Sequence, residues 1–290
     1  MNNPFFIDEN INIFTGEQAV KKLNDENDQQ YFKSGEGVSV VSEERWRKAQ
    51  VCEKNHWFVR GIKTSDDRNY HHSRNFNNYS EIKDKQFNSA LEIGCGPFTN
   101  TRVIAKICSI KNITLLDPMV LDYLKHPFCS YNENYLFSEY APILGKVVRK
   151  VSPFAFKFYR SVLSTKTKIV KLLNIPGEKI ARTEVYDLII MINVIEHCYN
   201  AETLFQNILN ITKSGSYLIF EDKLLENNEI KRALANSYDA AHPLKVDKDM
   251  IDSFLTEHFT IVYKRVQSNS DFYAGEEHPS EDLYFIGKRK

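Results

Sequence analysis

The sequence predicts a doubly wound α/β fold in which helices cover a mostly parallel, seven-stranded sheet. Short apolar segments alternate with amphipathic helical segments over most of the chain, the pattern of parallel strands joined by helices. The segment Tyr186–Asn193 contains a continuous apolar run, which is typical of a strand buried on both faces. No helical pattern separates the last two strands, Phe259–Val266 and Leu283–Gly287, so we expect an antiparallel strand at one edge.

Residues 1–86 are expected to form an arm and a helical cover. Residues 1–40 are polar and rich in Asn, Asp and Glu, with one short helix expected around Glu17–Leu23. From Glu43 onward, apolar residues recur near helical spacing, and Ser42 is a suitable N-cap for the helix that they predict. Residues 63–80 are polar and are expected to form a loop.

Residues 87–290 are predicted to form the main domain, in which strands and helices alternate. The predicted strands are Ser89–Gly94, Asn112–Asp117, Ile169–Leu173, Tyr186–Asn193, Ser216–Glu221, Phe259–Val266 and Leu283–Gly287. The predicted helices are Thr99–Ile110, Ala201–Thr212 and Asp247–His258. The connection 267–282 is expected to be a loop.

Composition limits the class of protein. The 290 residues include 38 Lys and Arg against 38 Asp and Glu, and a net charge of zero argues against a dedicated nucleic-acid binder. The five cysteines show no CxxC spacing, so reduced thiols are expected rather than a disulfide framework or a zinc site. No signal-peptide pattern and no apolar run of membrane-spanning length is present, so a cytoplasmic location is expected.

The strongest functional signal lies where the first strand of the main domain ends. Glu92, Gly94 and Gly96 form an E-x-G-x-G turn, where glycines let a ligand approach the backbone. Asp117 ends the second strand, and its carboxylate could accept hydrogen bonds from ribose hydroxyls. A dinucleotide or an adenosyl cofactor without phosphates could occupy such a turn. Thr99 replaces the third glycine of a dinucleotide fingerprint, and the Glu92 carboxylate suits a cationic amino group better than a phosphate.

The segments ALEIGCG, LLDP, YDLIIMINVIEH and GSYLIFED, taken in this order, resemble the motifs of class I S-adenosylmethionine-dependent methyltransferases over Phe87–Lys290. The resemblance implies a Rossmann-like fold, S-adenosyl-L-methionine as cofactor and S-adenosyl-L-homocysteine as product. It also implies that Asp117 holds the ribose, that Glu178 lies beside the adenine and that Asn193 contacts the methionine moiety. The implied cofactor-binding residues are Glu92, Gly94, Cys95, Gly96, Asp117, Pro118, Glu178 and Asn193. A nicotinamide-dependent oxidoreductase and a non-catalytic binding module are the alternatives.

Two histidines are candidates for the chemistry. Methyl transfer mainly requires that the nucleophile be aligned, but a hydroxyl also needs help in losing its proton, and histidine is the usual base. His197 follows the fourth strand and His242 follows the fifth, so both are expected at the same edge of the sheet. Each could instead orient a loop. No ligand spacing supports a metal, so none is expected.

A long insertion, at about 120–167, separates the second and third strands and is expected to be helical. Between Ala141 and Gly177 there are eight basic residues, including Arg149, and no acidic residue. This charge favours a cap that attracts an anionic acceptor, although a solvated lid or contact with an anionic membrane would also explain it. In the N-terminal cover, His56 and Trp57 are candidates for acceptor binding or for the core.

The expected reaction is therefore methyl transfer to a small, polar, anionic acceptor, with oxygen as the nucleophile. General resemblance to stand-alone bacterial methyltransferases suggests one such acceptor, a sugar or nucleotide sugar of surface-polysaccharide assembly. No nucleic-acid partner is expected, and the oligomeric state is not predicted.

Overall fold

One twisted sheet organises the chain. The computed structural model describes residues 13–15, 38–61, 68–125, 129–137, 164–225, 237–273 and 276–290. Within these residues, eight strands follow the order β4-β5-β3-β2-β6-β7-β10-β9, and β1 pairs with β8 separately. The strands are β1 Ile13–Thr15, β2 Gln86–Ile93, β3 Ser109–Leu116, β4 Tyr135–Phe137, β5 Ser164–Leu173, β6 Tyr186–Ile192, β7 Thr212–Leu224, β8 Ser237–Asp239, β9 Phe259–Tyr273 and β10 Glu276–Arg289.

The predicted fold class is confirmed. Strands β5, β3, β2, β6 and β7 run parallel to one another, and β10 pairs antiparallel with both β7 and β9. The seven predicted strands are all present, and the short β4 adds an antiparallel pairing to the far side of β5. The antiparallel strand β10 lies one position inside the edge, which β9 forms.

Burial on both faces explains the central strands. Alternate residues of β6 enter two different cores, because successive side chains of a strand point to opposite faces. Ile189 and Met191 belong to one core and Leu188 and Ile190 to the other, and all four are fully buried. The continuous apolar run of β6 is therefore what a strand between two helical layers requires.

Helices begin where the sequence offers caps. The helices are α1 Glu43–Asn55, α2 Asn69–Asn75, α3 Thr101–Ile104, α4 Val120–Tyr123, α5 Ala201–Asn210 and α6 Lys248–His258. Ser42, Asn200 and Asp247 cap α1, α5 and α6, each side chain accepting a hydrogen bond from a backbone N–H of the first turn. These three helices were predicted.

Three sequence predictions were wrong. The predicted helix Thr99–Ile110 is confined to α3, because the chain must turn back for Ser109 to pair with Gln86. The segment 63–80 is not wholly a loop, since it contains α2 and part of a 3-10 turn, Asn77–Ile82. The connection 267–282 is not a loop either, because β9 and β10 extend into a long hairpin.

Polar side chains explain why α2 escaped prediction. Asn69 is buried and donates hydrogen bonds to the carbonyl oxygens of Phe98 and Thr99. Asn75 is also buried and donates to the hydroxyl of Tyr284. A buried side-chain amide is stable in the interior when its hydrogen bonds are satisfied. The polar residues of this segment therefore do not indicate a solvent-exposed loop.

The expected helix at Glu17–Leu23 lies outside the described residues, as does most of the insertion at about 120–167. The described parts of the insertion include α4 and β4. The division of the chain at residue 86 stays a prediction. Among the helices of the described residues, none has the length and apolar character needed to cross a membrane.

Helix α1 is joined to the main domain through a buried arginine. Arg45 is 5% exposed, and its guanidinium donates hydrogen bonds to the carbonyl oxygens of Asp239 and Ala240, at 2.5 and 3.0 Å. Trp46 packs beside it and donates from its indole nitrogen to the carbonyl oxygen of His197, at 3.0 Å. Two distant loops are therefore held against one helix.

We expect Arg45→Met to lower the free energy of unfolding by about 2–4 kcal/mol, because two buried carbonyl oxygens lose a charged donor. Urea denaturation measures this change. Arg47→Met is the matched control on the same helix, since its side chain is 70% exposed and pairs with Glu43 one turn away, so its cost is about 0.5 kcal/mol or less. Equal losses in the two variants would contradict the anchoring role of Arg45.

Candidate active site

The carboxyl ends of the parallel strands form the candidate site. Strand β2 ends at Ile93, which is in register with Leu116 at the end of β3 and with Met191 near the end of β6. Ligands of open α/β sheets bind outside these strand ends, where polar loops meet. The predicted turn Gly94–Gly96 lies directly after β2, at the centre of this edge.

The Glu92 carboxylate holds the turn together. It is 1% exposed and accepts hydrogen bonds from the hydroxyls of Thr99 and Thr101 and from the backbone N–H groups of Asn100 and Thr101. Burial raises its pKa, and these hydrogen bonds oppose that shift. These hydrogen bonds go to the chain itself, so Glu92 fixes the shape of the turn, and its contact with the cofactor stays a prediction.

The two glycines of the turn have different structural roles. Gly94 and Gly96 both have positive φ, at 67° and 51°. A Cβ at Gly94 would lie 2.5 Å from Cγ2 of Val194, so this glycine permits close contact between the turn and the loop after β6. A Cβ at Gly96 would meet nothing within 4 Å, so open space adjoins the backbone there.

The N–H groups of the turn already have partners. Those of Gly94 and Cys95 donate to the carbonyl oxygen of Leu116, and that of Gly96 donates to Asp117. A phosphate site needs several free N–H groups that converge on the anion. This turn therefore fits a ligand without phosphates, in agreement with the sequence.

Asp117 is buried beside the open side of the turn. Its Oδ2 accepts from the N–H of Gly96 at 3.2 Å, and its Oδ1 accepts from the N–H of Met119 at 2.8 Å. Burial raises the pKa of Asp117 to about 7, and the charges of Glu53 and Glu92 add to this rise. A carboxylate has further lone pairs, so Asp117 keeps acceptor capacity for hydroxyl groups.

Aromatic side chains from the N-terminal cover lie over this region. Trp57 is half-buried in a π-helical segment, His56–Gly61, that continues α1. Its ring packs edge-to-face on Phe98 and Tyr123, with centroids 5.9 and 6.5 Å apart, and His56 packs against Trp57. Phe98 follows the glycine turn, so Trp57 forms an apolar wall next to it.

The remaining predicted cofactor residues lie around the same edge. Asn193 directly follows β6 and has φ of 56°, a rare conformation for a residue with a side chain and one that is concentrated at functional sites. Pro118 directly follows Asp117, and Cys95 is buried with its thiol 3.6 Å from the hydroxyl of Tyr131. Glu178 accepts from the N–H groups of Tyr199 and Asn200, so one of its oxygens already has partners.

The two predicted histidines come together with three carboxylates, and we call Glu53, Glu196, His197, Asp239 and His242 the strand-end cluster. The imidazole centroids are 4.7 Å apart. Oε1 of Glu53 lies 3.4 Å from Nδ1 of His197 and 3.9 Å from Nε2 of His242. Oε1 of Glu196 lies 3.8 Å from Nε2 of each histidine. Nδ1 of His242 is 2.8 Å from Oδ2 of Asp239.

The two histidines differ in charge state. Burial lowers the pKa of His197. Burial also acts to lower the pKa of His242, but the charges of Asp239 and Glu196 prevail and raise it to about 9. The charge of His242 in turn holds the pKa of Asp239 well below its ordinary range.

Sequence reasoning missed several members of this site. Glu53 lies on α1, far from both histidines in the chain, and belongs to no motif. Asp222 is also part of this site, because its Oδ2 accepts from the N–H groups of Val194 and Ile195 and so fixes the loop that carries His197. The predicted Arg149 lies outside the described residues.

A cleft opens beside the cluster. Glu196, Asp222, Lys223 and Lys245 line it, together with Ile195, Leu225, Leu244 and Val246. The cleft is small, with a volume of about 10 Å³, which is room for about one water molecule.

Known proteins share this fold. A family model described as a methyltransferase domain matches residues 66–257. The N-methyltransferase NodS from Bradyrhizobium japonicum, solved with S-adenosyl-L-homocysteine, is similar with a TM-score of 0.50 at 15% identity, over 83% of this chain and 98% of that chain. The 1,6-didemethyltoxoflavin-N1-methyltransferase from Burkholderia thailandensis has a TM-score of 0.45 at 10% identity, over 88% and 95% of the two chains. No curated protein matches the chain.

The family match covers most of the chain, so the protein belongs to the methyltransferase domain family and is a class I S-adenosylmethionine-dependent methyltransferase. The resemblance read from the sequence is confirmed. This assignment disfavours the oxidoreductase alternative. At such low identities, the structural likeness shows the fold alone and does not identify the acceptor.

We expect Gly94→Ala to lower the free energy of unfolding by about 3 kcal/mol, because positive φ and the contact with Val194 both oppose a Cβ. Gly96→Ala should cost only about 1–2 kcal/mol, since only φ opposes it. In a Val194→Ala background, the cost of Gly94→Ala should fall to a similar value. Thermal and urea unfolding of the four variants test this, and an unchanged cost in that background would show that the contact is unimportant.

Proposed function

We propose that this methyltransferase transfers a methyl group to an oxygen atom of a small, anionic acceptor, such as a sugar or nucleotide sugar, in the cytoplasm. The observation that carries the proposal is the position of the strand-end cluster at the same sheet edge as the glycine turn. A nucleophile held at the cluster would therefore face a cofactor held at the turn. All five cysteines are buried and none forms a disulfide bond, which supports a reducing compartment.

The cofactor fits the residues of the turn. The open space at Gly96, the acceptor capacity of Asp117 and the lack of free N–H groups suit an adenosyl ligand without phosphates. We propose that Asp117 accepts hydrogen bonds from the ribose hydroxyls and that Gly94, Cys95, Gly96 and Asn193 border the methionine moiety. When bound, S-adenosylmethionine supplies a methyl group on a positively charged sulfur.

Other contacts belong to the rim of this site. We propose that Pro118 and Glu178 lie near the adenine and that Glu92 contributes indirectly by holding the turn. Trp57 and His56 would close the site from the N-terminal cover, where Trp57 already packs on Phe98. Closure of this kind excludes water from a reactive methyl group.

His197 and His242 are the catalytic side chains in this proposal. His197 would accept the proton that a hydroxyl must lose before or during attack, and His242, whose raised pKa keeps it protonated, would donate a hydrogen bond to the nucleophilic oxygen. Asp239 orients His242 through the hydrogen bond at Nδ1, and Glu53 approaches both imidazoles. An amine acceptor would need less assistance of this kind, so the cluster favours oxygen.

The acceptor would lie beside Glu196, at the mouth of the small cleft. Lys223 contributes a positive charge to the lining, whereas Lys245 is paired with Asp239 at 3.0 Å, and the basic insertion adds Arg149 by sequence. Positive side chains near a cleft attract anionic substrates and orient them. A phosphate or carboxylate on the acceptor would therefore lie toward Lys223.

We expect Asp117→Ala to weaken S-adenosylmethionine binding about a hundredfold, because charge-assisted hydrogen bonds to the ribose are lost. Isothermal titration calorimetry with S-adenosylmethionine and S-adenosylhomocysteine measures this change. Asp122→Ala is the matched control, since that carboxylate pairs with Lys54 and Lys125 at the surface. Binding of NADH but of neither adenosyl compound would contradict the cofactor proposal.

We expect Lys223→Gln to raise the KM for an anionic acceptor about tenfold, with little change in the affinity for S-adenosylmethionine. The assay follows S-adenosylhomocysteine release with sugar phosphates, uronic acids, nucleotide sugars and the matching neutral sugars. Lys213→Gln is the control on the same strand, where the exposed lysine pairs with Asp187. A preference for neutral sugars or for amines would overturn the proposed acceptor class.

A further inference from the structure

We propose that Glu53, His197 and His242 bind a divalent transition-metal ion of the zinc type. Each side chain offers one ligand atom, and the three atoms lie within 4.8 Å of one another. The carboxylate oxygen is 3.4 Å from one imidazole nitrogen and 3.9 Å from the other. Ligands around tetrahedral zinc, with bonds of about 2.0–2.2 Å, lie roughly 3.3–3.5 Å apart. Small side-chain shifts would complete the geometry.

The chemical types of the three ligands determine which kind of ion the site would bind. Two imidazoles and one carboxylate are the protein ligands of many zinc sites that keep a position open for water or substrate. Magnesium and calcium prefer oxygen ligands throughout, so they fit this set poorly. Imidazole suits zinc and its neighbours among the transition metals.

An unsatisfied nitrogen points into the proposed site. Nδ1 of His197 is buried and has no hydrogen-bond partner among the described residues. It approaches Glu53 at 3.4 Å without hydrogen-bond geometry. Buried polar atoms nearly always have partners, and this one lies next to two other groups that can ligate a metal. A metal ion between His197 and Glu53 would satisfy this nitrogen.

The surroundings resemble the outer shell of a metal site. Metal-binding histidines usually donate their second ring nitrogen to a carboxylate, which fixes the ring. Nδ1 of His242 meets Oδ2 of Asp239 at 2.8 Å, leaving Nε2 to face Glu53. Asp239 is itself held by Lys245 at 3.0 Å and by the N–H groups of Ala241 and His242.

Charge at the site also favours a cation. Glu196 approaches both histidines at 3.8 Å, so its carboxylate adds to those of Glu53 and Asp239. Lys245 already pairs with Asp239 at 3.0 Å, so a divalent ion would mainly balance the carboxylates of Glu53 and Glu196. Because each ligand comes from a different part of the chain, no sequence spacing could indicate the site.

The ion would deepen the proposed function, and its role rests on that function. At the open position, it would bind the acceptor hydroxyl and lower the pKa of that group, as metal ions do for bound water. The hydroxyl proton would leave to solvent, the oxygen would then attack the methyl carbon, and the bond from that carbon to sulfur would break to leave S-adenosylhomocysteine. The two histidines would then assist proton loss through the ion rather than by accepting the proton themselves.

The test is calorimetric titration of the full chain, treated with EDTA and dialysed, with zinc chloride. We expect one zinc ion per chain, and about a hundredfold weaker binding in Glu53→Gln, because a direct ligand is lost. His71→Ala is the control, since that histidine is exposed and away from the cluster. Magnesium chloride should not bind comparably. Cobalt titration, followed by visible absorption, should give a tetrahedral spectrum that Glu53→Gln lacks.

Circular dichroism of metal-free Glu53→Gln checks its folding, and His242→Ala provides a second ligand variant if needed. Zinc binding that is absent in the wild-type chain, or equal in the wild-type and both ligand variants, would overturn the metal site. Titration with S-adenosylmethionine on the same samples separates the two proposals. A chain that binds the adenosyl compound but no zinc would disprove only the metal site, whereas loss of adenosyl binding would disprove the proposed function.

Discussion

The buried Glu92 carboxylate is the interaction on which the cofactor site depends. A charged group at the end of a central strand is costly to bury unless hydrogen bonds replace its water. Thr99, Asn100 and Thr101 supply them, and in doing so they bend the chain around the glycines. The turn then presents open space at Gly96 next to Asp117. Glu92 therefore shapes the turn, and it affects a bound ligand through the shape of the turn.

A second buried carboxylate fixes the loop that carries His197. Asp222, on β7, holds the loop after β6 through the N–H groups of Val194 and Ile195. Val194 fills the space that Gly94 leaves free, so the two loops are packed against each other. Arg45 and Trp46 then hold α1 over the loops that carry His242 and His197. The glycine turn and the strand-end cluster are thus joined by packing.

Local patterns explain what could be predicted from the sequence. The apolar run of β6 and the turn at Gly94 and Gly96 are patterns of a few neighbouring residues. The central strands and the glycine turn could therefore be predicted. The buried Asn69 and Asn75 were read as a loop, because their polarity is satisfied by partners distant in sequence. Glu53 could not be found, since only the packing of α1 brings it to the histidines.

The most direct test of this account is a crystal structure of the protein with S-adenosylhomocysteine bound. The account predicts that the ribose hydroxyls lie within hydrogen-bond distance of Asp117 and that the sulfur faces Glu53, His197 and His242 across the acceptor cleft. A sulfur directed away from these three side chains, or a ligand bound elsewhere than at the glycine turn, would contradict the central claim that one edge of the sheet joins cofactor and acceptor.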